Sequence, residues 1–219
     1  MPYYGCYDTS RSVMRQITWN EEVQKVVWTE VIAQKINNQA AHLLFREKKN
    51  EYQLLKGYLE NLTLYDETNR EGHAAKVYFN ALFGKAFTRE EENDINAALN
   101  YGYALLLSIF SREIVKNGCL TQLGLKHNNP FNQFNLASDL MEPFRPLVDE
   151  IVFANRNLEF SKIKYQLFSL FSRTYLFGRQ DMYLVNIVEV YVKKVLTALN
   201  NDNTEKDELP VFNFTWEKK

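Results

Sequence analysis

The chain has 219 residues, 46% of them hydrophobic and 24% charged, with 26 basic against 27 acidic side chains for a net charge of −1. A chain of this size buries about 72% of its unfolded surface on folding, which excludes both intrinsic disorder and a need for covalent staples. Cys6 and Cys119 are the only cysteines and form no CxxC, so the sequence offers neither a disulfide framework nor a structural zinc knuckle. With no secretory pattern, the expected compartment is the cytosol. The longest uncharged run, Ile95–Ser111, contains Asn96, Asn100, Tyr101 and Gly102, and reads as a buried helix rather than a membrane span.

Elements follow in chain order. No proline stands between Pro2 and Pro130, and no Asn-Gly or Asp-Gly hairpin signal interrupts that stretch. An all-α domain is the consequence. The first long helix opens at Asn20 as cap, with Glu21 and Glu22 facing its positive end, and runs through Val23, Val27, Val31, Ala40, Leu43 and Leu44 with a polar break at Asn37–Asn38. A shorter helix covers Tyr52–Leu62. Asn69 caps another over Arg70–Phe83, ended by Gly84 in a left-handed position. The next starts near Asn93 or Asp94, stops at Asn117-Gly118, and places Ile95, Ala98, Leu99, Gly102, Leu105, Leu106, Ile109 and Phe110 on one wide stripe. That stripe makes it the central buried helix. Helical spacing returns in Phe160, Ile163, Leu167, Leu170, Phe171 and in Leu184, Ile187, Val188, Tyr191, Val195, Leu199. Beyond Asn200 a polar stretch leads to Leu209–Trp216, a short extended arm or docking strand. The resulting division is 1–19 linker and start of the helical domain, 20–200 helical domain, and 201–219 polar tail.

The irregular region is Leu120–Pro146, an amide-rich stretch holding His127 and three prolines, and long loops on a rigid frame commonly carry function. On a helix, Asp139 and Glu142 at i and i+3 present two carboxylates to one point, surrounded by Leu140, Met141, Phe144 and Leu147. Paired carboxylates repel unless one is protonated or a cation sits between them. His127 offers an imidazole, and Glu71 stands in the first turn of the Asn69-capped helix. Two oxygen ligands and one nitrogen suit Mg²⁺ or Mn²⁺ better than zinc. The plainer reading stands beside this one: Glu71 can serve the helix dipole, Asp139 a cap, and His127 an ordinary loop hydrogen bond. His42 and His73 read as plain helix residues, and the Arg156–Arg179 strip, with Lys162, Lys164 and Arg173 against Glu159, reads first as a solvated face and second as a phosphate-tracking surface.

The strings NREGHAAKVYFNALFG, NDINAALNYGYALLLSIFSREIV and GLKHNNPFNQFNLASDLMEPFRPLVDEIV closely resemble the CRISPR-associated integrase endonuclease, the metal-dependent subunit of spacer acquisition, in its type II branch. The resemblance implies a metal triad of Glu71, His127 and Glu142, the last an Asp in many relatives, with Asp139 as the neighbouring acid that orients a ligand or joins a second site. It implies Mg²⁺ or Mn²⁺ as cofactor, and a reaction in which the 3′-hydroxyl of a captured DNA fragment attacks a phosphodiester at the leader end of a repeat array. Arg70, Lys76, Lys126 and Arg145 are then the phosphate-contact candidates, with Asn132, Gln133 and Asn135 shaping the loop or touching DNA. The implied partners are spacer-precursor and leader-repeat DNA, a second copy in a full-length homodimer, the companion adaptation subunit and other type II adaptation proteins, in a bacterial cytoplasm without a membrane.

Family members open with a small β-rich domain, whereas MPYYGCYDTSRSV resembles the stretch joining that domain to the helical one. The expectation is therefore the helical catalytic domain alone, an engineered or processed fragment. Two other readings remain open: a non-catalytic helical interaction module, and a competent site silent without its dimerisation domain.

Overall fold

A computed structural model describes residues 8–202 and 208–213. The order is α1 (Thr9–Ile17), α2 (Glu21–Phe45), α3 (Lys49–Glu60), a 3-10 turn (Leu64–Asp66), α4 (Arg70–Phe83), α5 (Asp94–Lys116), α6 (Asn135–Leu140), a second 3-10 turn (Glu142–Phe144), α7 (Arg145–Ala154), α8 (Phe160–Leu167), α9 (Ser169–Ser172), β1 (Thr174–Phe177), β2 (Gln180–Tyr183) and α10 (Leu184–Leu199). Helices dominate, as the sparse glycine and proline require. Asn20, Asn69 and Asn93 each cap a helix by accepting a backbone N–H, from Glu22, Gly72 and Asn96 respectively.

Two helices share the centre. α5 packs against α6, α7, α8 and α10, and its stripe buries Ala98, Leu99, Gly102, Leu106, Ile109 and Phe110. Gly102 permits the contact with α7, because a Cβ there would stand 2.3 Å from Cγ1 of Val148. α2 packs against α3, α4, α7 and α10 and against the second 3-10 turn. It runs unbroken through Asn37–Asn38, correcting the expected interruption. The reason lies in Asn38, fully buried, whose Nδ2 donates to the carbonyls of Pro143 at 2.9 Å and Phe212 at 2.8 Å. A buried amide with both donors satisfied has no cause to break a helix.

α1 fills the later part of 1–19, the stretch read as linker and start of the helical domain, and docks through Gln16, whose Nε2 donates to Leu120 O while its Oε1 accepts from Leu120 N; residues 1–7 lie outside the described residues. A β-hairpin pairs Thr174 with Tyr183 and Phe177 with Gln180 around Gly178-Arg179, where Gly178 at φ +65° supplies the positive φ that a two-residue turn needs. The arm docks without joining a sheet. Gln34 donates to Pro210 O and accepts from Phe212 N, and the Phe212 ring stacks on Phe144 at 3.9 Å between centroids. Residues 214–216 of the expected arm lie outside the described residues. No described helix is long and apolar enough to cross a membrane.

Candidate metal centre

Glu71 owes its position to an unusual helix entry. Tyr65, Asp66 and Asn69 all adopt positive φ, at 60°, 49° and 51°, a conformation costing roughly 1–2 kcal/mol per non-glycine residue. The strained path lets the buried Asp66 carboxylate accept from Arg70 N at 2.7 Å and Glu71 N at 3.0 Å. Tyr65 fastens the same turn to its surroundings. Its N–H donates to Thr29 Oγ1 on α2 at 2.7 Å, and its hydroxyl donates to Leu125 O at 3.2 Å in the loop that precedes His127.

His127 is positioned from the other side. Asp139, fully buried at the end of α6, accepts from Leu125 N at 2.6 Å, Lys126 N at 3.0 Å and His127 N at 3.4 Å. The same carboxylate meets Nδ1 of the His127 ring. An ionised carboxylate only accepts, so Nδ1 carries the proton and the lone pair of the neutral ring resides on Nε2. The hydrogen bond that His127 donates to Asp139 pushes the His127 pKa up; partial burial opposes it, and the charges of Asp139, Glu142 and Glu71 add to the rise. Gly124 makes this packing possible, since a Cβ there would lie 2.4 Å from His127 O and 2.8 Å from Asp139 Oδ2.

Glu142 does not share Asp139's surroundings. α6 ends at Leu140, and the chain tightens into the 3-10 turn with Pro143 in its first positions, so the i, i+3 carboxylates take separate partners instead of one point. Glu142 Oε1 accepts from Arg145 Nε at 2.9 Å, and Oε2 lies 2.6 Å from Lys35 Nζ. Burial pushes Glu142 up, yet Arg145 and Lys35 together hold it below the usual carboxylate range. Lys35, projecting from α2, also donates to Glu71 Oε1 at 2.5 Å. For Lys35 burial presses downward, but Glu142 and Glu71 outweigh it and the pKa is raised.

Glu71 and Glu142 meet across an ammonium, His127 senses both charges, and Asp139 orients His127. Among the described residues no three His, Cys, Asp or Glu side chains form a ready metal cluster, and Lys35 stands between Glu71 and Glu142. The donor chemistry nevertheless fits a divalent ion: two facing carboxylates already drawn around a positive charge, next to an imidazole fixed with Nε2 available.

The phosphate-contact candidates divide. Arg145 bonds Glu142 and lies over the Tyr103 ring at 4.5 Å, at the back of the site. Lys126 donates to Tyr65 O and covers the Tyr65 ring at 3.7 Å, so it braces the His127 loop while staying exposed. Arg70 is half-buried with its Nε lacking a hydrogen-bond partner, and Lys76 is exposed on α4. Asn135 is buried and donates to Gln122 O and Asn129 O, shaping the loop; Asn132 caps Phe134 N, and the Gln133 carbonyl accepts from Thr121 Oγ1. His42, also buried, pairs its Nδ1 with the Tyr78 hydroxyl at 2.7 Å, and burial with the nearby Arg46 lowers its pKa to about 3. Sequence reasoning passed over Lys35 and Asp66. The signal for Lys35 was its place on the apolar face of α2, in register with Val31, Ile32 and Ile36.

Residues 8–164 match the family described as CRISPR associated protein Cas1. The chain belongs to the Cas1 family. It is 39% identical over 151 residues to the CRISPR-associated endonuclease Cas1 of Neisseria meningitidis serogroup C (strain 8013), a match covering 68% of this chain and 49% of that protein. It is 28% identical over 197 residues to CRISPR-associated endonuclease Cas1 1 of Francisella tularensis subsp. novicida (strain U112), covering 76% and 62%. The chain therefore spans between about half and two thirds of the length of these curated relatives. A solved structure described as "Casposase bound to integration product" superposes with a TM-score of 0.75 at 19% identity, covering 96% of this chain and 73% of that one. A chain of a "Cas6-RT-Cas1--Cas2 complex" gives 0.77 at 19% identity, covering 97% and 28%. At such identities the likeness is one of fold.

Proposed function

We propose that this chain is the helical catalytic part of a DNA integrase and endonuclease of spacer acquisition, which joins the 3′-hydroxyl of spacer DNA to a phosphodiester of a CRISPR repeat array. The observation that carries the reading is the convergence of Glu71 and Glu142 on one cationic point beside His127. Cas1 membership, the naming of relatives as endonucleases, and the fold shared with a casposase bound to its integration product support it. Glu71, His127 and Glu142 would hold Mg²⁺ or Mn²⁺. Such an ion polarises the phosphate and neutralises charge during the displacement.

The chain's own groups supply the rest. Asp139 fixes the His127 tautomer and holds its loop by backbone N–H groups. Arg145 keeps Glu142 ionised and oriented. Arg70, Lys76 and Lys126 stand within or beside the motifs that carry Glu71 and His127 and are suited to phosphate oxygens, with the basic residues of Arg156–Arg179 a secondary DNA track. Partners follow from the same reading: spacer and leader-repeat DNA, a second copy in the full-length protein, and the companion adaptation subunit, as in the Cas1–Cas2 complex that shares this fold.

A Mn²⁺-dependent strand-transfer and nicking assay on DNA with a free 3′-hydroxyl tests the proposal. His127→Ala and Glu142→Ala should each lower the rate at least about 100-fold while helicity by circular dichroism is kept. Full activity in both variants defeats it. A second reading is favoured by one observation, that Lys35 closes the carboxylate pair into a complete ion triad. In that reading the cluster is structural, and Mn²⁺ titration yields no heat that depends on Glu71, His127 or Glu142. A competent site silent for lack of a dimerisation domain would bind Mn²⁺ yet transfer no strand.

A further inference from the structure

We infer that Lys35 is a built-in place-holder for the divalent cation: its ammonium occupies the position between Glu71 and Glu142, balances the two carboxylates there, and must be displaced when metal binds. The inference rests on the metal-centre reading above and adds a residue to which that reading gives no role.

The geometry is specific. Lys35 Nζ lies 2.5 Å from Glu71 Oε1 and 2.6 Å from Glu142 Oε2, and its side chain is only 10% exposed. The two carboxylates come from elements far apart in sequence, the start of α4 and the turn before α7, and each has its backbone fastened independently. The Asp66 carboxylate holds Arg70 N and Glu71 N, while Asn38 on α2 holds Pro143 O. Each side chain thus projects from a fixed root toward Lys35. Without a cation between them, two carboxylates held this close would repel.

Charge and volume then require exchange. Glu71, Glu142, Lys35 and Arg145 sum to zero, so the metal-free cluster is balanced. Mg²⁺ and Mn²⁺ bind oxygen at roughly 2.0–2.2 Å, so an ion on those oxygens would overlap the present ammonium position as well as repel it. Lysine suits the task. Its charge rides on a flexible four-carbon stem with rotatable donors, whereas the rigid fork of arginine would grip both carboxylates bidentately and resist removal. Arg145 does the second kind of work on Oε1 of the same Glu142.

Place-holder and purely structural ion pair make opposite predictions for charge removal. Lys35→Met abolishes the competitor, so metal should bind more tightly and rescue the carboxylates left facing each other. The experiment is Mn²⁺ calorimetry on the full chain, paired with thermal melts with and without Mn²⁺, for wild type, Lys35→Met, Lys35→Gln and Glu142→Gln. Lys35→Gln retains a donor for the carboxylates and serves where the methionine variant does not stay folded. The expected result is a Kd at least about tenfold lower in the neutral Lys35 variants than in wild type. Their metal-free melting temperature should be depressed and their gain with Mn²⁺ larger, while Glu142→Gln binds weakly. A folded Lys35 variant that binds Mn²⁺ no better than wild type overturns the place-holder and leaves the metal centre standing. Absence of binding in wild type and in every Lys35 variant overturns both.

Discussion

His127 and Asp139 form a single unit: the buried carboxylate receives the ring Nδ1 and, with its other oxygen, the backbone N–H groups of Leu125 and Lys126. Asp139 therefore sets both where the loop runs and which imidazole nitrogen faces outward. Asp139→Asn replaces one acceptor oxygen by a donor that cannot meet these N–H groups. A buried unsatisfied donor costs about 1–3 kcal/mol, and losing the carboxylate behind a metal-binding histidine weakens metal affinity about 10–100-fold. Chemical denaturation and Mn²⁺ titration of the variant measure the two effects; an unchanged Mn²⁺ affinity would refute the orienting role.

The same unit explains Gly124. A methyl group at this position meets His127 O at 2.4 Å and Asp139 Oδ2 at 2.8 Å, so Gly124→Ala must push the loop off the carboxylate. The expected cost is about 1–3 kcal/mol, with strand transfer falling further than stability accounts for. Gly57→Ala on α3 is the matched control, because its Cβ meets nothing within 4 Å and the change should be neutral or stabilising by up to about 1 kcal/mol. Equal melting shifts for the two alanine variants would contradict the packing argument.

How much of this was legible in the chain depends on the range of the forces involved. α4 was readable to the residue and α5 to within one at its start, because Asn69 and Asn93 cap them locally and their apolar stripes keep helical period. α1 was hidden because its sequence is largely polar and Gln16 is its one buried residue. The hairpin was hidden because its turn, Gly178-Arg179, is not an Asn-Gly or Asp-Gly pair and sits in the short stretch between the helical patterns that end at Phe171 and resume at Leu184. At the site, residue types and the family resemblance brought out Glu71, His127 and Glu142, but not their connection. Lys35 stands in register with apolar Val31 and Ile32, but its partners Glu71 and Glu142 come from distant elements that only the fold brings to it. The placing of Asp139 and Glu142 on one helical face failed because Pro143 and a 3-10 turn rotate the second carboxylate toward α2.

Asp66 carries a prediction of its own. Its carboxylate accepts the N–H groups of Arg70 and Glu71, so it caps α4 and aims the first turn that bears Glu71. Asp66→Ala removes both acceptors, with an expected loss of about 1–2 kcal/mol in stability. Because the strained φ values at Tyr65 and Asp66 depend on those bonds, the entry should relax and Glu71 should drift from Lys35. Strand transfer should fall at least about tenfold, and Asp66→Asn, which retains one acceptor, should recover part of it. Loss of stability without loss of transfer would show that the cap does not position Glu71.

Asp149 gives the fold a pH dependence separate from the metal centre. It is 1% exposed; Oδ1 receives the Tyr103 hydroxyl, and the Tyr78 hydroxyl also bonds the carboxylate. Burial pushes its carboxyl from 3.8 up to about 6, against the pull of the Tyr103 hydrogen bond and the Arg145 charge. A carboxyl with a raised folded pKa holds its proton in the folded chain after the unfolded chain has released it. The associated stabilisation is complete below the unfolded value of 3.8 and is lost as pH rises through about 6. At about 1.4 kcal/mol per unit, the contribution falls by about 1–2 kcal/mol between roughly pH 5 and 7.5. His127, also raised, slopes the same way, so the informative quantity is the difference between wild type and Asp149→Asn, in which the His127 contribution cancels. Denaturant unfolding at both pH values should show the variant gaining on wild type by that amount as pH rises. A difference independent of pH would mean that Asp149 is already ionised throughout the range, and that its buried oxygen finds compensation elsewhere in the Tyr103–Arg145 cluster.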